Sequence, residues 1–128
     1  MKILYAVIAV VLASCASANN DDIISRAGER PPVDFSEKYV RSLLVASLKD
    51  PDSLKQFSID EPRIRLIHRG SLNGGGQHEA WLICFTYNAK NSYGAYAGAT
   101  RSGVFLQQIG SGWYEIPGLG GLAISYCK

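Results

Sequence analysis

Hydrophobic and polar positions alternate with two different periods along the chain. Over residues 34–49, Val40, Leu43, Leu44, Ser47 and Leu48 recur at the spacing of one helical face, with Phe35 and Tyr39 near its edge. Asp34 followed three residues on by Glu37 matches a capping box, and Pro51 predicts the stop, since the residue before a proline avoids the α region. Asp52 and Ser53 then predict a short capped turn over "DSLKQF", with Leu54 and Phe57 inward. From there the period falls to two. "PRIRLIHRG" places Ile64, Leu66 and His68 on one face and Arg63, Arg65, Ile67 and Arg69 on the other. "SLNGGGQ" reads as a flexible loop, because glycine loses most entropy on ordering. "EAWLICFTY" is apolar on both faces, Trp81, Ile83, Phe85 and Tyr87 against Leu82, Cys84 and Thr86, which predicts the central strand. "GVFLQQI" and "WYEI" predict two more strands around a Gly110-Ser111-Gly112 turn. "PGLGG" predicts another turn and "LAISYC" a closing strand. The pattern therefore predicts an α+β domain over 34–128: one N-terminal helix packed on an antiparallel sheet of four to five strands.

The first residues follow another pattern. Lys2 precedes an apolar run from Ile3 to Leu12, interrupted only by the amphipathic Tyr5. Ten helical residues span roughly 15 Å, about half of a bilayer core of ~30 Å. The run is thus expected to be a signal-peptide core, 1–14, rather than a membrane span. Residues 15–33 are small, polar and charged and end in Pro31-Pro32, the composition of a flexible tether.

Leu12-Ala13-Ser14-Cys15 resembles the lipobox of bacterial lipoproteins. The resemblance implies cleavage before Cys15, acylation of its thiol and amine, and membrane attachment through the acyl chains. Two or three chains anchor stably where one does not. Ala16, rather than aspartate, follows the cysteine, and in lipoprotein sorting this implies the outer membrane, facing the periplasm. The alternative is an ordinary secretory signal cut after Ala18, with Cys15 lost.

Composition narrows the chemistry. With 13 basic and 11 acidic side chains the formal charge is +2, and removal of Lys2 leaves the rest nearly neutral. No strong field draws nucleic acid to it, and none is expected as a partner. If Cys15 carries lipid, Cys84 and Cys127 remain. In an oxidising compartment two cysteines pair, here closing a loop that stabilises by about 3–4 kcal/mol. The competing reading is a Cys84 nucleophile with His78 as base, a Cys-dependent envelope hydrolase. It would need a third group to hold the base, and the sequence offers none. His68 and His78 show no zinc-ligand spacing. No catalytic residue, cofactor or metal is expected.

Between the strands, Asn88 to Gly98 is built from turn formers, small residues and tyrosines. Asn88, Lys90, Asn91, Tyr93 and Tyr96 form a candidate binding loop, since a bare backbone lets another chain approach and tyrosines supply rigid contact area. The plainer reading is a long β-connection whose tyrosines cover the sheet edge. The glycines match no nucleotide-binding pattern. Arg63, Arg65 and Arg69 are a candidate anionic contact, or else a solvated strand face. The stretch "Cys-x-x-x-Asn-Ala-Lys-Asn-Ser-Tyr-Gly-x-Tyr-x-Gly", with "Asp-Pro-Asp-Ser" at 50–53, resembles a set of small uncharacterised exported proteins of bacteria and their phages. It departs from that pattern at Phe85 and Ala95, where glycine is usual. The resemblance spans 43–106 and implies an α+β fold and a structured Asn88–Asn91 segment, but no activity. The expectation is a non-enzymatic recognition module meeting an envelope protein or wall polymer. Its narrower versions are an inhibitor of a wall-degrading enzyme and a phage superinfection-exclusion or receptor-masking lipoprotein.

Overall fold

Pro31 and Pro32 set where the helix over 33–47 begins. In the computed structural model, which describes residues 27–68 and 77–128 apart from the His78 side chain, helix α1 runs Val33–Ser47 with Pro32 as its N-cap. The expected capping box is not formed. Pro32 starts the helix before Asp34, and the Ser36 N–H and hydroxyl both donate to the Pro32 carbonyl, each at 2.9 Å. Asp34 lies instead in the first turn, where a negative charge suits the helix dipole. Glu37 pairs with Arg41 at 3.0 Å. Ser36, Val40 and Leu44 bury one face, whereas Ser47, expected on it, is exposed. The helix ends at Ser47, because Leu48 is extended before the Pro51–Ser53 turn.

The expected turn through Phe57 is only half present: Lys55–Ile59 is strand β1. Leu54 and Phe57 nevertheless pack toward the core beneath α1. Strand β2 follows at Arg63–His68, β3 at Gln77–Asn88, β4 at Thr100–Ile109 and β5 at Gly112–Glu115. All pairings are antiparallel, in the order β1-β3-β4-β5. β2 also pairs with β3, so β1 and β2 share one of its edges. Ser58 and Ile59 of β1 face Thr86 and Phe85, while Arg63 of β2 faces Leu82. The corner between them contains Pro62, which has no N–H for a ladder. As its two apolar faces predict, β3 is the central strand. The α+β architecture of one main helix on a five-stranded antiparallel sheet is the one the periodicities imply.

Residues 120–126 depart from expectation. The "LAISYC" segment is not a strand but the end of helix α2, Gly120–Tyr126, with Cys127 as its C-cap. It rests mainly on β4, on the sheet face opposite α1. Seven residues are too few for their apolar positions to distinguish the two periods. The core therefore has two layers. Val40 and Leu44 meet Ile83, Phe85 and Leu106 on the α1 side, and Leu82 and Phe105 meet Leu119, Ala123 and Ile67 on the α2 side. Ile67 is fully buried, so the arginine-bearing face of β2 is not uniformly solvated.

A disulfide joins Cys84 to Cys127, with Cα atoms 5.5 Å apart. It fastens a helix, not a terminal strand, to β3. Gly103 of β4, opposite Cys84, makes room for it: a Cβ there would collide with the Cys127 sulfur and the Ala123 carbonyl.

The expected tether, 15–33, ends in residues that belong to the domain. Ala27 and Pro31 are buried. The Trp81 and Trp113 indole N–H groups donate to the carbonyls of Gly28 and Glu29, at 3.2 and 2.9 Å. The Glu29 N–H donates to Gln108 at 2.8 Å. The expected signal peptide, Cys15, Ala16, Arg69 and the glycine loop 71–76 lie outside the described residues.

One titratable group links α1 to β5. The Tyr39 hydroxyl donates to Glu115 at 3.1 Å. Burial, then the neighbouring carboxylate, push its pKa up to about 12. A group whose folded pKa is raised stabilises fully below its unfolded value, near 10, and loses that contribution as pH rises toward 12. Spectrophotometric titration at 295 nm should show a late-titrating component that Tyr39→Phe removes. The variant should also show a smaller loss of stability between pH 10 and 12.

Candidate recognition site

The loop from 89 to 99 leaves β3 at Asn88 and returns at Thr100, and asparagine chemistry gives it its shape. The Asn91 side-chain oxygen accepts from the N–H groups of Tyr93 and Ala95, at 2.9 and 3.2 Å. Its own N–H donates to the Ala95 carbonyl, and Gly94 N–H donates back to the Asn91 carbonyl. The side chain thus does for the backbone what a strand partner would do elsewhere. Gly94 has φ +77°, with open space beside it, so conformation rather than crowding selects glycine there. A bridge between Lys90 and Tyr96 closes the base.

The loop is pinned to a distant segment. The Ser53 hydroxyl accepts the Lys90 N–H at 2.9 Å and donates to the Asp50 carbonyl at 2.7 Å. The Ser53 carbonyl accepts the Tyr96 hydroxyl at 2.8 Å. The Lys55 ammonium lies 3.6 Å from the Tyr96 ring centre, and that of Lys90 5.9 Å. The "Asp-Pro-Asp-Ser" turn and the Asn88–Gly98 loop are therefore one unit.

Roles within the candidate loop divide sharply. Asn88 is buried, and its amide N–H donates to Gln56 at 2.9 Å, so it is structural. Gln56 sits at φ +53° in the irregular pairing between β1 and β3. Asn91 shapes the loop, and Tyr96 and the Lys90 backbone fasten it. Tyr93 alone among the five is almost fully free, at 95% exposed. Ser53, Lys55 and Gln56 were not among the expected site residues. The Asp-Pro-Asp-Ser motif and the turn expected over "DSLKQF" were the signals that pointed near them.

The arginines separate from this loop along the chain. Arg63 is exposed and donates to the Cys84 sulfur at 3.7 Å. Arg65 is half-buried, and its Nε has no acceptor among the described residues. Both cysteine sulfurs are bonded and their residues are 1% and 2% exposed, so Cys84 carries no thiolate in this arrangement. Among the described residues no group of three histidine, cysteine or acidic side chains could hold a metal. A shallow open groove of about 220 Å³ lies along α1 at Phe35, Lys38, Tyr39 and Ser42.

Comparison of the chain with protein-family models, with curated proteins and with solved structures gave no match in any of the three.

Proposed function

We propose that the chain is a lipid-anchored protein of the bacterial envelope, held through Cys15 in the outer membrane on its periplasmic side. It acts there as a non-catalytic recognition module. Lipobox residues at the required spacing support the anchor. Two paired cysteines suit an oxidising compartment. The observation that carries the recognition reading is Tyr93: a large aromatic side chain, 95% exposed, at the tip of a loop that asparagine, Ser53 and Tyr96 hold in shape. A rigid support under an unshielded tyrosine lowers the ordering cost of contact, and such residues anchor interfaces. A protruding tip of this kind suits insertion into a cleft, which favours an envelope enzyme or receptor as the protein met.

Labelled palmitate should enter the wild-type chain and not Cys15→Ser, with the label in the envelope fraction. A soluble, unlabelled wild-type chain overturns the anchor. Tyr93→Ala should weaken binding to the protein captured from native envelope by roughly 30-fold, at an unchanged melting temperature. Unchanged affinity removes the loop from the function.

A further inference from the structure

The sheet has two edges, and they differ in how they are guarded. β1 and β2 form one edge and β5 the other. An open edge presents unpaired N–H and C=O groups that invite a further strand, and charges or irregular pairing deter one. The first edge carries Lys55, Arg63 and Arg65, and its register breaks between Lys55 and Ser58. β5 pairs regularly and has no such guard. Gly112, Trp113 and Tyr114 are uncharged, and the Glu115 carboxylate accepts the Tyr39 hydroxyl.

The ladder shows which backbone groups of β5 are free. Gly112 pairs with Ile109 across the Gly110-Ser111 turn, and the Ile116 N–H donates to the Phe105 carbonyl. In an antiparallel pair every second residue bonds inward. Gly112, Tyr114 and Ile116 therefore face β4, and the backbone N–H and C=O groups of Trp113 and Glu115 face outward. Among the described residues nothing else bonds to these groups.

This edge lies under a groove. The Trp113 ring packs against Phe35 at 5.1 Å and Glu115 holds Tyr39, so that flank of α1 stands over β5. Phe35, Lys38, Tyr39 and Ser42 line the open space of about 220 Å³ there. The Phe35 and Tyr39 rings, 18° from parallel, offer an apolar wall. Lys38 is exposed, has no carboxylate partner among the described residues, and supplies the charge of the lining. The edge is also held in place beforehand, since the Trp113 indole N–H donates to the Glu29 carbonyl.

An added strand uses both features. Its backbone takes the free groups of Trp113 and Glu115, and its side chains opposite those two residues point to α1. Such side chains recur about 7 Å apart, so one rests on the Phe35 and Tyr39 rings while the next meets Lys38. We infer that the β5 edge and the α1 flank form a docking groove for an extended peptide segment of a partner protein, bearing an apolar and an acidic residue two positions apart. A second copy fits less well, because two-fold pairing of β5 with β5 sets one Lys38 flank against the other. The inference rests on neither Tyr93 nor the anchor.

The test is titration of the isotope-labelled full chain with acetyl-Thr-Leu-Thr-Glu-Thr-Leu-Thr-amide, read by amide resonances and amide exchange. Shifts should concentrate at 33–42 and 112–115. The Trp113 and Glu115 amides should exchange freely without peptide and become protected with it. N-methylation of the leucine and glutamate amides should abolish binding, since those N–H groups face the edge, and N-methylation of the threonine amides should not. Lys38→Glu, at an exposed site, should weaken binding about fivefold, and a peptide with lysine for glutamate should recover it. Tyr93→Ala should change nothing, which keeps the groove distinct from the loop. Absent binding, shifts confined to other elements, or full affinity of the peptide methylated at leucine and glutamate overturns the groove. Unchanged affinity in Lys38→Glu overturns the acidic residue. Trp113 and Glu115 amides already protected without peptide overturn a foreign segment as occupant, and sedimentation then assigns the edge to a second copy or to the chain itself.

Discussion

Replacing Cys84 and Cys127 together by alanine should lower the melting temperature by roughly 15 °C or more. The bond links positions 43 residues apart, and removing such a link relaxes the unfolded chain by about 4 kcal/mol. That is a large share of the stability of a small domain, where 1 kcal/mol moves the midpoint by about 4–8 °C. The loss should be local before it is global. Helix α2 has only seven residues, too short to persist unaided, and besides the disulfide it is held by Leu119, Leu122 and Ala123, by Tyr126 against the Phe105 ring and by an Arg101 contact to the Cys127 carbonyl. Calorimetry and amide exchange check this, with protection in 120–126 disappearing first. An unchanged midpoint in the double variant would show that the bond contributes nothing to stability.

Phe105→Ala should cost about 3–5 kcal/mol, measured by denaturant unfolding. Phe105 is 1% exposed, lies beneath α2 between β3 and β5, and sets its ring edge-on to Tyr126 at 6.0 Å. Removing the ring leaves a cavity that strands on both sides cannot close. Because this ring and the disulfide secure the same helix, their effects should not add. Once α2 is released, Phe105→Ala should cost distinctly less. Full additivity would mean that α2 docks independently of the ring. A cost below 1 kcal/mol in the otherwise unaltered chain would mean that the site collapses.

What the sequence determined by itself is what local periodicity can carry. Val40 and Leu44 at helical spacing fixed α1, and the two apolar faces of 79–87 fixed β3 as central, because burial leaves a period in the residues that undergo it. Two paired cysteines were legible by counting. Turn chemistry marked the Asn88–Gly98 loop, since asparagine and glycine act on their own backbone. Tertiary structure decided the rest. "KQFSI" became a strand because β3 had a free edge beside it, not because its own pattern asked for one. "LAISYC" became a helix because the sheet face over β4 needed a cover. Pro32, outside the helix pattern, overrode the capping box. The grip of Ser53 on Tyr96 joins residues brought together only by the pairing of distant segments. Register depends on which edges meet, and that is a property of the whole chain that no window of neighbouring residues contains.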